Sequence, residues 1–284
     1  MNSYNVQQNK TLYVTDLDGT LMRSDKTLSE FTVNTLNQLI DQGMLITYAT
    51  ARSFQSAWEI TKEIHFPVPV ITRNGTVFAN QILKKETDIS CFSEKEVNTL
   101  KDLLTGTIER IGFVTAYFDG KMTKSYCNGE LSRGLQKYLD EHANDKRMRM
   151  LNDVANLFDG VVTYVSLIAE KDELQPVYEK VMNGGNWECN FQKDTYGDEY
   201  WLEISPHNAT KAKAVMKCKE ELQCDRVVVF GDSINDLSMF AIADEACAVE
   251  NGRDEVKSAA TLIIPSNEDD GVAIYLMNQW KLQE

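Results

Sequence analysis

The run that opens at Thr11 and continues Leu12-Tyr13-Val14 is apolar, with β-branched and aromatic side chains, the pattern of a buried strand. Residues 28–42 put Phe31, Leu36, Leu39 and Ile40 on one helical face, and Gly43 supplies the stop. A second apolar strand follows over 44–49, then a helix over 53–63 and a third short strand over 68–72. Asn74-Gly75, followed by Thr76-Val77-Phe78-Ala79 and Ile82-Leu83, reads as a hairpin. Strand–helix–strand–helix order implies a parallel sheet.

Between about Lys84 and Pro206 the texture changes. Residues 94–108, 130–142 and 172–182 are helical in pattern, with a short helix near Val154. Residues 113–118 and 122–127 flank Asp119-Gly120-Lys121, a hairpin signal. Strands are expected over 147–151, 161–169, 187–192 and 199–204. This mixture fits an antiparallel sheet with helices on one face, an α+β module. A helix running through Ala214 to Leu222, a strand over 226–230 and a helix over 237–242 then resume the first pattern. The predicted class is therefore α/β: a Rossmann-like parallel-sheet core, residues 1–83 and 207–284, with an inserted α+β domain over 84–206.

Composition narrows what such a chain does. At 284 residues and 43% hydrophobic it can bury one large core or two modest ones. A formal charge of −14 argues against a general electrostatic grip on nucleic acid or an anionic membrane. An anionic substrate stays possible where a metal and a few cations reverse the field locally. The six cysteines are scattered, none in a Cys-x-x-Cys pair, which reads as free thiols in a reducing compartment rather than a zinc site. Residues 1–10 are polar and lack a signal-peptide apolar core, and no apolar run reaches membrane-spanning length. The expectation is a cytoplasmic protein.

Chemistry concentrates at the predicted strand ends. Asp16 and Asp18 follow the first strand, one residue apart, and Gly19 turns the chain away. In open parallel sheets ligands bind beyond the carboxyl ends of the strands. Two acids there concentrate negative charge that a divalent cation offsets. Taken alone, Asp-x-Asp-Gly equally describes a solvated turn. Thr50 closes the second strand, where a hydroxyl and free amides before a helix suit a phosphate oxygen, or simply cap that helix. Lys211 falls in the first turn of the helix after Pro206. Helix N-termini favour anions, so a lysine there is explained by an anion lying between it and the helix end. After the 226–230 strand, Gly231-Asp232-Ser233-Ile234-Asn235-Asp236 brings two more acids to a strand end.

With Asp16-Leu17-Asp18-Gly19-Thr20-Leu21 as first motif, Thr50 in the second, Lys211 in the third and Gly231 to Asp236 in the fourth, the sequence resembles the haloacid dehalogenase superfamily. Asn74-Gly75, the order of elements over 84–206 and the tail from Ala248 narrow the likeness to its Cof-type phosphatases, which carry a large α/β cap. Ala51 stands where the family usually has glycine, and Glu250-Asn251-Gly252 where it often has Met-Gly-Asn-Ala. The resemblance implies Asp16 as nucleophile, Asp18 as general acid and base, and Mg²⁺ held by Asp16, the Asp18 carbonyl and Asp232. It implies a phosphoryl cradle from Thr50, Lys211, Asn235 and the amides of Leu17 and Ala51, with Asp236 supporting the metal waters and Lys211. Asn74 either faces the site or serves the turn alone; Arg52 matches the family's second motif, reads as a surface or structural ion pair and is given no catalytic role.

The partner expected is a small phosphorylated metabolite, such as a sugar phosphate or phosphorylated cofactor, hydrolysed through an aspartyl-phosphate. A phosphotransferase or mutase on the same core, and a non-catalytic ligand-binding regulator, are the competing readings. Neither nucleic acid nor membrane is expected as partner, and the sequence fixes no oligomeric state.

Overall fold

A computed structural model describes residues 10–281. The polar segment that lacks a signal-peptide core lies, but for Lys10, outside the described residues. The chain opens with β1 (Thr11–Thr15), α1 (Glu30–Asp41), β2 (Leu45–Tyr48), α2 (Phe54–Thr61), β3 (Val70–Thr72), β4 (Val77–Asn80) and β5 (Lys85–Ile89). Next come α3 (Glu94–Leu104), α4 (Ile108–Ile111), β6 (Gly112–Phe118), β7 (Lys121–Cys127), α5 (Arg133–Glu141) and β8 (Met148–Leu151), then β9 (Val161–Ala169), α6 (Lys171–Met182), β10 (Trp187–Lys193) and β11 (Tyr200–Pro206). It closes with α7 (Lys211–Glu221), β12 (Arg226–Gly231), α8 (Leu237–Phe240), β13 (Glu245–Val249), α9 (Asp254–Ala259), β14 (Leu262–Ile264) and α10 (Gly271–Lys281). Two compact units result, one from the segments up to Asp88 and from Lys211 onward, the other Ile89–Thr210.

The first unit is α/β. Its five-stranded parallel sheet has the order β14-β13-β12-β1-β2. Side chains alternate across a strand, so both faces of this sheet are apolar. Tyr13, Val228 and Phe230 pack with Leu36 and Leu39 of α1, Phe54 of α2 and Tyr275 of α10. Leu12, Val14, Val227 and Val229 pack with Val215 of α7, Met239 of α8 and Val256 of α9 on the other face. A strand with both faces covered reads as an unbroken apolar run, which is why Val227 to Phe230 are fully buried. Burying each such valine contributes roughly 1.5–3 kcal/mol. Ser29 and Ser53 cap α1 and α2 by accepting the amides of Thr32 and Ser56.

The third strand serves two partners. Val70–Thr72 runs parallel beside the end of β2 through the Ala49–Ile71 bridge, and pairs antiparallel with β4, the hairpin expected at Asn74-Gly75, in a sheet of order β3-β4-β5. Three residues are too few to extend the ladder before Arg73 and Asn74 turn the chain with positive φ angles of 50° and 52°.

The second unit holds a six-stranded sheet of order β10-β11-β9-β6-β7-β8. Its pairs are antiparallel except β7 with β8, which run parallel. Helices cover both faces rather than the one expected. Val114, Val165 and Leu167 pack with Leu100 and Leu104 of α3 and Leu174 of α6. Phe113 and Ile168, their neighbours in sequence and so on the opposite face, pack with Leu135 and Tyr138 of α5. The helix expected over 94–108 ends at Leu104, because Gly106 takes a φ of 81° and α4 starts afresh at Ile108. Among the described residues no helix is long and apolar enough to cross a membrane.

Candidate active site

Parallel pairing sets the site. Thr15 of β1 stands opposite Phe230 of β12, and the Asp16 amide donates to the Phe230 carbonyl at 2.9 Å as the last ladder bond. Both strands therefore end at one level, and Asp16 and Asp232 leave it together. Gly19 turns the chain with φ of 80°, and a Cβ there would sit 2.6 Å from Asp232 Oδ2. At Gly231 a Cβ would fall 2.6 Å from the Asp236 Cβ. Both positions need glycine because the carboxylates pack against bare backbone.

The side chains converge on Lys211, the first residue of α7. Its ammonium donates to Asp16 Oδ1 at 2.5 Å and to Asp236 Oδ1 at 2.7 Å, and the residue is only 1% exposed. A cation in a first helical turn is unfavourable by itself; two carboxylates explain it. Asp236 Oδ2 accepts the amides of Asp232 and Ser233, both at 3.0 Å. All of Asp236 is thus committed to shaping the loop and holding the lysine. Asp16 Oδ2 and Asp232 Oδ2 accept no hydrogen bond among the described residues, while Asp232 Oδ1 accepts the Thr20 hydroxyl at 2.9 Å.

Burial pushes the Asp16 carboxyl well above the usual carboxylate range; Lys211 opposes this, and Asp236, Asp232 and Asp18 reinforce it. Burial, with the Asp236 charge, pushes Asp232 up to about 7. Burial would lower Lys211, but Asp16 and Asp236 outweigh it and hold the ammonium above its ordinary value. Oxygen atoms of Asp16, Asp232 and Asp236 lie within 4.8 Å of one another. Two buried carboxylates, each with an open oxygen and a strained negative charge, fit a hard divalent cation such as Mg²⁺, which takes oxygen ligands. Asp236 offers such an ion little, since its oxygens are already engaged.

The remaining candidates lie at neighbouring strand ends. The Ala49 amide donates to the Thr15 carbonyl at 2.9 Å, which sets Thr50 and Ala51 beside β1. Thr50 is fully buried, its amide donates to Ile71 and its hydroxyl accepts the Arg52 amide. The amides of Leu17 and Ala51 make no hydrogen bond among the described residues, so both are available as donors. Asn235 donates its side-chain amide to Asn74 Oδ1 at 3.1 Å, which gives Asn74 a role beyond its turn. Among the described residues Asp18 shares no side-chain hydrogen bond with the cluster. Its two oxygens are instead gripped by Arg52, Nε at 2.7 Å and Nη2 at 2.6 Å.

Several supports escaped the sequence reading. Asn251 donates to the Gly19 carbonyl at 2.7 Å and accepts the Asn267 amide at 3.0 Å. Asn267 in turn donates to the Met22 carbonyl at 2.8 Å, so the tail clasps the loop bearing Asp16 and Asp18. Both lie in the tail segments that resemble the Cof-type phosphatases, the one available signal. Thr20 sits inside the first motif, yet its bond to Asp232 spans 212 positions and leaves no local trace.

Known proteins resemble this chain over nearly its whole length. The sequence model of the haloacid dehalogenase-like hydrolases matches residues 13–276. The 5-amino-6-(5-phospho-D-ribitylamino)uracil phosphatase YitU of Bacillus subtilis is 27% identical, over 95% of this chain and 98% of its own. The pyridoxal phosphate phosphatase YbhA of Escherichia coli is 23% identical, over 92% and 95%. A crystal structure of a haloacid dehalogenase-like hydrolase from Bacteroides thetaiotaomicron superposes with a TM-score of 0.74 at 24% identity, covering 94% of this chain and 98% of that one.

Proposed function

The chain belongs to the haloacid dehalogenase-like hydrolases, and from that premise we propose that it is a Mg²⁺-dependent phosphatase acting on small phosphorylated metabolites through an aspartyl-phosphate. The observation that carries the proposal is Lys211 bound between Asp16 and Asp236, with Asp16 Oδ2 left open beside Asp232. A carboxylate nucleophile needs a fixed direction. Lys211 supplies it by holding Asp16 Oδ1, and the carboxylate can take the ion through one oxygen and attack phosphorus with the other.

Asp16, the Asp18 carbonyl and Asp232 would hold the metal. Bound there, Mg²⁺ supplies the positive charge that lets two buried carboxylates ionise together and offsets charge on the phosphoryl oxygens. The Leu17 and Ala51 amides, the Thr50 hydroxyl, Asn235 and Lys211 are donors for those oxygens. Asp16 attacks phosphorus and displaces the alcohol, whose oxygen takes a proton from Asp18. Water then attacks the phosphorus of the acyl phosphate and gives its proton to Asp18, and the electron pair of the broken bond returns to Asp16. The unit Ile89–Thr210 acts as a cap that chooses the leaving group.

The named substrates of YitU and YbhA, a phosphorylated ribitylamino-uracil and pyridoxal phosphate, support a phosphorylated cofactor or its precursor as the substrate class. A phosphate-release panel covering both compounds and simple sugar phosphates, with Mg²⁺ or with chelator, tests this. Release that needs Mg²⁺ and favours some of the panel is expected. No release from any phosphomonoester, or full activity in protein shown by elemental analysis to be metal-free, overturns it.

A further inference from the structure

We infer that Arg52 is a positioning residue for Asp18, and that it governs breakdown of the phosphoenzyme more than its formation; the inference rests on the reaction proposed above. Arg52 lies just beyond β2, 34 positions from Asp18. Its guanidinium meets the Asp18 carboxylate fork to fork, Nε to Oδ2 at 2.7 Å and Nη2 to Oδ1 at 2.6 Å. The third nitrogen, Nη1, donates to Ser56 Oγ at 3.2 Å in the first turn of α2. The backbone is pinned as well: the Arg52 amide donates to Thr50 Oγ1 and its carbonyl accepts the Arg73 amide.

An exposed ion pair is worth little, because two long side chains must be ordered in water. This pair differs in kind. The side chains are only 19% and 21% exposed, the bond is bidentate, and the cation is anchored at a third point. Such a fork fixes the plane of a carboxylate as well as its distance, which a lysine cannot do. The backbone around Asp18 is held by the tail, through Asn251 on the Gly19 carbonyl, which leaves the torsions of the Asp18 side chain as the freedom to be fixed. Arg52 is the group that removes this freedom.

The two chemical steps depend on that orientation unequally. With an activated aryl phosphate the leaving group departs without a proton, so attack by Asp16 proceeds wherever Asp18 points. In the second step water is a poor nucleophile, and its proton must reach a correctly aimed Asp18 oxygen as the new phosphorus–oxygen bond forms and the bond to Asp16 breaks. A misplacement of about 1 Å costs on the order of 10²-fold. Loss of Arg52 therefore slows the second step and leaves the first.

The test uses the full chain with 4-nitrophenyl phosphate and Mg²⁺, in wild type, Arg52→Met and Arg52→Lys. Stopped-flow release of nitrophenol reads formation of the phosphoenzyme, and acid quench with mass measurement reads its steady-state occupancy. We expect formation within about threefold of wild type, breakdown slower by about 10- to 100-fold, and covalent phosphate on Asp16 raised accordingly. kcat and KM should fall together, leaving kcat/KM nearly unchanged. Arg52→Lys keeps the charge without the fork, folds if Arg52→Met does not, and should resemble the methionine variant. Equal losses in both steps, an unchanged occupancy, or full rescue by lysine overturns the inference alone. A wild-type protein that turns over without ever carrying phosphate on Asp16 overturns the reaction and this inference with it.

Discussion

Replacing Lys211 by methionine keeps most of the length of the side chain and removes a buried cation. In the native protein that cation is 1% exposed and bonded to two carboxylates at 2.5 and 2.7 Å. Removing one partner of a buried charged pair costs about 3–5 kcal/mol, because the other is left uncompensated. Here Asp16 and Asp236 remain, with Asp232 beside them. The loss should depend on pH, and its sign follows from proton binding. Without Lys211, the carboxyl groups of the folded variant titrate further above their unfolded value near 3.8 than burial already places Asp16 and Asp232. The folded variant then binds more protons than the unfolded chain, so its stability falls as pH rises, by up to about 1.4 kcal/mol per pH unit per proton. In the wild type Lys211 is itself raised, a contribution fully present below its unfolded value of 10.5 and constant across neutral pH. The deficit of Lys211→Met should therefore be larger at pH 7.5 than at pH 5.5, by up to about 3 kcal/mol for one proton. Tryptophans lie in both units, so total fluorescence mixes them; amide exchange in β1 and β12 of metal-free protein under mild denaturant reads the right unit. A deficit below about 1 kcal/mol at pH 7.5, or one that shrinks as pH rises, would show that Lys211 does not neutralise this cluster.

Other outcomes follow from the same geometry. Mg²⁺ should raise the Tm of the wild type more at pH 7.5 than at pH 5.5, because at the lower pH it must displace protons from Asp16 and from Asp232, which is pushed up to about 7; equal shifts at both pH values would contradict this. Gly19→Ala puts a Cβ 2.6 Å from Asp232 Oδ2 in a backbone of φ 80°, so calorimetric Mg²⁺ affinity should fall by about tenfold or more; unaltered affinity counts against Asp232 as a ligand. Exchanging Ile89–Thr210 for the equivalent segment of another family member should reorder substrate preference on a metabolite panel and keep metal dependence; an unchanged ranking would remove the cap from specificity.

What the sequence disclosed here was whatever acts locally. Val227 to Phe230 and the run before Asp16 are apolar because both sheet faces are covered, and a buried strand of that kind needs no partner to be recognised. The acids after them stand out because charge at a strand end is costly. Lys211 was legible as an anomaly, a cation where a helix repels one. Arg52 was legible as a match to the family's second motif and as an ion pair, but not its partner, which lies 34 positions away. Asn251 and Asn267 act through backbone carbonyls of Gly19 and Met22, which any sequence supplies equally. The short β3 does run parallel beside β2, but periodicity cannot show that this pairing stops at one bridge before Arg73 and Asn74 take positive φ. Helix α5 on the second face of its sheet was hidden for a related reason. Apolar residues on both sides of β6 and β9 announce burial without saying what provides it.

In the proposed reaction Asp16 takes the phosphoryl group and Asp18 moves the protons. Quenching the reaction with an aryl phosphate and locating covalent phosphate by mass measurement separates them. Asp18→Asn keeps the backbone carbonyl but removes the proton acceptor, a loss of about 10²–10⁴-fold in turnover. It should therefore accumulate phosphate on Asp16, whereas folded Asp16→Asn should carry none and fall to background activity. Phosphate trapped on any other residue, or wild-type turnover by Asp16→Asn, would contradict the assignment of the nucleophile.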